Sequence, residues 1–200
     1  MSKLFFNLLL GAILPVFCFL SFWWISLIFT QVEKTVEILA FTGLCFGLLT
    51  DLIVWRISKI HVYKLPDWML LIIYVFYSIC VFGFFMGVPV FQIFIGLIAG
   101  YYGAKKMQYL NSPKEIQKVE INKISRFSTV IMAIISICSA FIALMDKHTA
   151  ANLIGMFHLP INLSLPILGT AILLGGVFLI CLQYWLTKKV MIKTLNYYSL

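Results

Sequence analysis

The run MLLIIYVFYSICVFGFFMGVPVFQIFIGLIAGYYGA, Met69–Ala104, contains no Asp, Glu, Lys or Arg, and its length decides the fold. The charges that flank it are Asp67 and Lys105, with 37 residues between them. As one helix those residues would reach about 55 Å, against a hydrocarbon core of about 30 Å. The run therefore has to turn back on itself. Gly87-Val88-Pro89 is where Gly and Pro punctuate it, which predicts two spans, Trp68–Met86 and Val90–Ala104. The second is short and reads as either an untilted span or a re-entrant half-helix.

Outside this run the pattern repeats. Leu4–Val32, Phe127–Met145 and Thr149–Thr187 are also free of Asp, Glu, Lys and Arg. A soluble core helix of such length would carry polar residues on its outer face, and these do not. Only 11% of the chain is charged and 62% is hydrophobic, where soluble domains carry about a quarter charged residues. The expected fold class is an all-α integral membrane protein, a single bundle of six transmembrane helices over residues 1–200. The remaining spans fall at Leu4–Thr30, Val36–Ile57, Phe127–Met145 and Asn162–Thr187. Pro15 is placed to kink the first, and Trp23 and Trp24 lie near its far end, where indoles favour the interface. That first stretch is too long for the apolar core of a cleaved signal peptide, about 7–15 residues, and no A-x-A site follows it.

Orientation follows from the cations. With six spans and both termini cytoplasmic, 13 of the 15 Lys and Arg residues fall on the inner side, and only Lys34 and Lys147 outside. Such asymmetry is the positive-inside pattern. The net charge of +8 is thus divided among membrane-flanking loops, which argues against nucleic acid and for an anionic lipid at the cytoplasmic face. The sizeable polar segment, Met107–Arg126, opens with Ser112-Pro113-Lys114-Glu115, the pattern of an N-cap, a first-turn proline and a capping-box acid. Ile116, Val119, Ile124 and Phe127 continue at helical spacing, so a basic amphipathic helix lying on the membrane and bending into the fifth span is expected.

Asp51 is the acidic residue set inside a span, and ionisable groups there usually face the bundle interior or a water-filled cavity. Gly43, Gly47 and Asp51 step by four and share one helix face. Gln92, Gly96 and Gly100 do the same in the fourth span. Packing one face on the other would bring Lys105 near Asp51. Glycine pairs, Gly83/Gly87 included, let helix backbones approach closely, and a line of glycines also leaves room for a ligand. These six residues, Asp51, Gly43, Gly47, Gln92, Gly96 and Gly100, are the candidate substrate-binding set; Lys59, two turns along from Asp51, is its candidate ion-pair partner. Glu33, Glu37, Asp146, His148 and His158 would gather at an outer entrance, but their spacing is not that of a helical metal pair. Asn162-Leu163-Ser164 matches a glycosylation acceptor by chance, since it opens a span.

No catalytic, nucleotide, metal or cofactor motif stands in the sequence. The five cysteines lie singly in apolar runs, as buried small hydrophobes would. Three functions remain. One is small-solute binding or transport across the membrane. The second is a non-catalytic assembly or scaffold subunit that docks a protein partner or a second copy through glycine-rich helix faces. The third is an intramembrane enzyme acting on lipid with Asp51 as base, for which one carboxylate is thin. The size and layout are similar to the small substrate-capture subunits of energy-coupled vitamin importers, a likeness of shape that implies solute capture in a cell membrane.

Overall fold

The computed structural model describes residues 2–30, 32–58, 62–85, 87–146, 149 and 165–197. Every regular element among them is helical: α1 Ser2–Gly11, α2 Ile13–Phe29, α3 Glu33–Ser58, α4 Asp67–Phe84, α5 Gln92–Tyr109, α6 Lys114–Met145 and α7 Leu165–Tyr197, with short 3-10 turns at Val62–Lys64 and Pro89–Phe91. Among the described residues five stretches are long and apolar enough to cross a membrane: Leu4–Phe29, Glu33–Ile53, Asp67–Phe84, Lys114–Met145 and Pro166–Asn196. Their large apolar side chains, such as Leu49, Ile79, Ile137 and Leu174, stand exposed on the outside. A water-soluble protein does not expose such a surface; this is an all-α membrane protein. The chain gathers into two compact units, residues 1–69 and 70–200.

In the first unit α1 and α2 form one apolar rod broken at Ala12. The cause is Pro15, which has no N–H for the carbonyl of Gly11 and whose ring crowds it. The rod pairs antiparallel with α3 along a seam of small residues. Val36, Ala40, Gly43 and Gly47 are the buried positions of α3. A Cβ on Gly43 would lie 2.7 Å from the Cys18 carbonyl oxygen, and one on Gly47 2.5 Å from Pro15 Cα. Backbone meets backbone here, so neither neighbour can yield. Phe6 of α1 meets Tyr63 of the 3-10 turn edge to face at 6.2 Å.

In the second unit α5 is the inner helix, packed against both α6 and α7. The turn expected at Gly87-Val88-Pro89 is present: Gly87 takes the left-handed region with φ +82°, and its N–H reaches the Phe82 carbonyl at 2.8 Å. Gly83 has open space around it, so it packs on nothing. Gly96 meets Gln183 and Thr187, and Gly100 meets Thr187 and Met191; contacts that rise together in sequence mean α5 and α7 run parallel. Between α6 and α7 they run in opposite senses, Ser128 to Thr187 and Ser136 to Gly176.

The polar segment 107–126 departs from expectation. Met107–Tyr109 ends α5, a tight turn through Leu110–Ser112 follows, and α6 runs unbroken for 32 residues. Pro113, not Ser112, is the N-cap, with no side-chain cap bond; the Ser112 carbonyl instead accepts Gln117 Nε2 at 2.8 Å. No Gly or Pro lies between Lys114 and Met145 to bend the helix. Its apolar face is turned to the bundle, where Ile121 joins Met107 and Met191 in a small core, while Ile116 and Val119 are exposed. The cysteines are free, but none is fully buried; Cys45, Cys138 and Cys181 are exposed among the outward apolar side chains.

Gly47→Leu should lower the thermal stability of the detergent-solubilised protein by about 3 kcal/mol, because the close-packed seam has no room for it. Gly83→Ala should leave stability unchanged or raise it slightly, because the site is open and alanine is the better helix former. Circular-dichroism melts of the two variants check this.

Candidate functional site

The sequence singled out two glycine faces, and the structure uses both within their own units. Gly43 rests on Cys18 and Phe22, Gly47 on Leu14 and Pro15, and the Asp51 carboxylate on Gly11. The shared face of Gly43, Gly47 and Asp51 is therefore real, and it is applied to the α1–α2 rod. The face of Gln92, Gly96 and Gly100 is applied to α7. The packing of one face on the other, expected from sequence, is replaced because each face finds a close-fitting partner of its own. His148, His158, Lys59 and the Asn162–Ser164 pattern lie outside the described residues. Of the remaining outer residues, Glu33 and Glu37 are exposed, and Asp146 Oδ2 accepts the Thr149 hydroxyl at 3.1 Å.

Asp51 lines an open groove of about 470 Å³ between α1 and α3, with Asn7 as the other polar side chain of its wall.

The second unit holds a larger polar assembly. Gln92 is 1% exposed and Gln183 0%, so both amides are withdrawn from any solvent. Gln92 Nε2 donates to the Ser78 hydroxyl in a short hydrogen bond. The Gln183 amide occupies the space that a Cβ on Gly96 would fill, so the glycine is what admits it. The Tyr74 hydroxyl lies beside both amides, yet makes no hydrogen bond of good geometry to a described residue. One turn on, Ser128 donates to the Ser125 carbonyl at 3.0 Å, and its oxygen lies within hydrogen-bond distance of Thr187 Oγ1 at 3.3 Å. Taken in order, Thr187 and Ser128, then Gln183 and Tyr74, then Gln92 and Ser78 form a polar track inside the bundle. Arg126 and Lys188 lie within two residues of its first pair in sequence. It ends about 20 Å from Lys105, measured from Gln92 along α5.

The track is made of amides and hydroxyls, and several of its atoms lack partners. Gln183 Nε2 and Oε1, Gln92 Oε1, Tyr74 Oη and Ser125 Oγ are buried without a hydrogen bond to a described residue. Each such group costs about 1–3 kcal/mol, far more than a structural position would ordinarily retain. Chemically the track is a set of uncharged donors and acceptors, with the two amides each beside the Tyr74 hydroxyl. It is poorly made for an ion, which would stay buried without a counter-charge.

Of these residues, sequence reasoning found Gln92, Gly96 and Gly100 and missed Gln183, Tyr74, Ser78, Ser128 and Thr187. A signal existed. Asn7, Gln92 and Gln183 are amides inside the apolar stretches of helices, where an amide is costly for the same reason as a carboxylate.

Comparison of the chain with protein-family models, with curated proteins and with solved structures returns no match.

Gly96→Ala should displace the Gln183 amide and destabilise the protein, and Gln183→Ala should relieve that cost. A double-mutant cycle by thermal unfolding is expected to give a coupling of about 1–3 kcal/mol between the two positions.

Proposed function

We propose that the chain binds a small, uncharged, hydrogen-bonding solute in its second unit and serves its passage across the membrane. The observation that carries this is the pair of fully buried amides, Gln92 and Gln183: Gln92 Oε1 and both polar atoms of Gln183 make no hydrogen bond of good geometry to a described residue. In this reading the amides contact the solute. Tyr74 and Ser78 orient it, and the Thr187–Ser128 pair lines its way from the basic end. Gly96 and Gly100 keep α7 close enough for the amides to face each other. Asp51, Gly43 and Gly47 belong to a different unit and have no part in this site. The docking alternative is left with less to work with, because Gly43, Gly47, Gly96 and Gly100 are each covered by a helix of their own unit.

The proposal includes the topology. α5 is short in apolar length, since Lys105 and Lys106 fall inside it. It is the inner helix of its unit, however, and an inner helix needs less hydropathy because protein, not lipid, surrounds it. Counted as a sixth span, it puts both termini and the Lys105–Arg126 stretch on the cytoplasmic side. In a cysteine-free background, a single cysteine at Gln117 should react with an impermeant thiol reagent only in inverted vesicles, and one at Asp146 only in right-side-out cells. The reverse pattern, or both on one side, overturns the six-span layout.

Native mass spectrometry of the protein, gently extracted from its host membrane, tests the function. The expected result is a retained neutral small molecule, lost in Gln183→Leu while the melting temperature is maintained or raised. A rise is reasonable, because leucine removes two unpaired polar atoms. Recovery with only a stoichiometric protein partner and no small molecule would favour the docking alternative.

A further inference from the structure

The Asp51 groove has a chemistry of its own, unrelated to the amide track. Its walls are aliphatic, with Leu4 and Leu8 from α1 and Leu48 and Leu52 from α3, and its polar side chains are Asn7 and Asp51. It runs along α1 past the Ala12 break to Val16, a length of about 18 Å at the helical rise. Asp51 lies 18 residues beyond Glu33 on the same helix, which puts it about 27 Å away, at the opposite edge of the apolar stretch Glu33–Ile53. The carboxylate thus lies two residues from the end of that apolar stretch, and the apolar wall extends from it along the helices.

The polar side chains that line the groove are the Asp51 carboxylate, an acceptor, and the Asn7 amide, whose carbonyl also accepts. Gly11 lines it too, and Pro15 supplies no N–H to the Gly11 carbonyl, which an ordinary residue at that position would bond. Gly11 also lets the carboxylate settle against α1, since a Cβ there would come within 2.8 Å of Asp51 Oδ2. A negative charge among hydrogen-bond acceptors matches a primary ammonium, which carries one positive charge and three N–H donors. The aliphatic wall beside it matches an acyl chain.

We propose that this groove is a binding site for an aminophospholipid of the phosphatidylethanolamine type, with the ammonium on Asp51 and one acyl chain along the α1–α3 wall. The site selects against quaternary ammonium headgroups, which have the charge but no N–H to donate, and against anionic headgroups, which Asp51 repels. It lies wholly in the first unit and does not depend on the solute reading of the second.

The test places the full chain in nanodiscs of equal phosphatidylethanolamine, phosphatidylcholine and phosphatidylglycerol with matched acyl chains, and reads the lipids retained by native mass spectrometry. Phosphatidylethanolamine should be retained about tenfold over phosphatidylcholine, the worth of one charge-assisted hydrogen bond. Retention should fall stepwise as the amine is mono-, di- and trimethylated. Asp51→Asn should bring it to the phosphatidylcholine level, and Gln183→Leu should leave it unchanged. Equal retention of the three lipids, a preference for phosphatidylglycerol, or a preference that survives Asp51→Asn overturns the proposal. If Asp51→Asn does not fold, the methylation series on the unaltered chain decides the matter alone.

Discussion

Hydrocarbon cannot hydrogen-bond, and most of this molecule follows from that fact. Every backbone N–H and C=O within the membrane has to find its partner inside the chain, which leaves helices as the economical solution. Departures from regular helix are accordingly few, and each has a local cause. Pro15 breaks the first rod at Ala12, and Gly87, in the left-handed region, turns α4 back toward α5. The same constraint applies to side chains. It makes the buried amides of Gln92 and Gln183, three of whose four polar atoms lack a hydrogen bond to a described residue, the least expected feature of the second unit and the one from which its function is argued.

Helix association is governed by the absence of a hydrophobic drive between helices already in lipid. What remains is close packing, and close packing needs small residues. In the first unit these are Ala40, Gly43 and Gly47, which bring α3 against the backbone of α2. In the second unit Gly96, Gly100 and Gly103 do the same for α5 against α6 and α7. The difference lies in what is brought together. At Gly43 and Gly47 the glycine meets backbone and ring, and the seam is filled. At Gly96 the space is occupied by a polar side chain, so packing and polarity are coupled at one position. Packing alone accounts for the first seam, whereas the second also holds a buried amide against the glycine.

The two units offer different chemistry to ligands. The amide track lies within a bundle and is uncharged, so it suits a molecule that gives up its water without carrying a charge into the protein. The Asp51 groove is open to the side and carries a carboxylate. Burial explains the difference. A fully enclosed carboxylate would need a counter-ion, while one in an open groove is not sealed off from its surroundings.

How much was legible in the sequence depends on the range of the physics involved. Five of the six expected spans, the Gly87 turn and the Pro15 break came directly from composition and local chemistry, because length against bilayer thickness and the backbone limits of Gly and Pro are local properties. The common face of Gly43, Gly47 and Asp51 was legible for the same reason, since it needs only the helical period. The partner of each face was not. Any small-residue stripe fits many helices, and periodicity on one helix contains nothing about the other. The polar segment after Tyr109 was misread for a related reason: Ile116 and Val119 have helical spacing, but whether Ile121 turns to lipid or to Met107 and Met191 depends on the neighbouring helices. Sequence by itself determined that this is a helical membrane protein, where its chain turns, that Asp51 is out of place in an apolar setting, and that Gln92 shares a face with Gly96 and Gly100. Only the tertiary structure decided that Gly96 meets Gln183 while Gly11 meets Asp51, because contacts between residues 87 and 40 positions apart are set by which helix surfaces fit together.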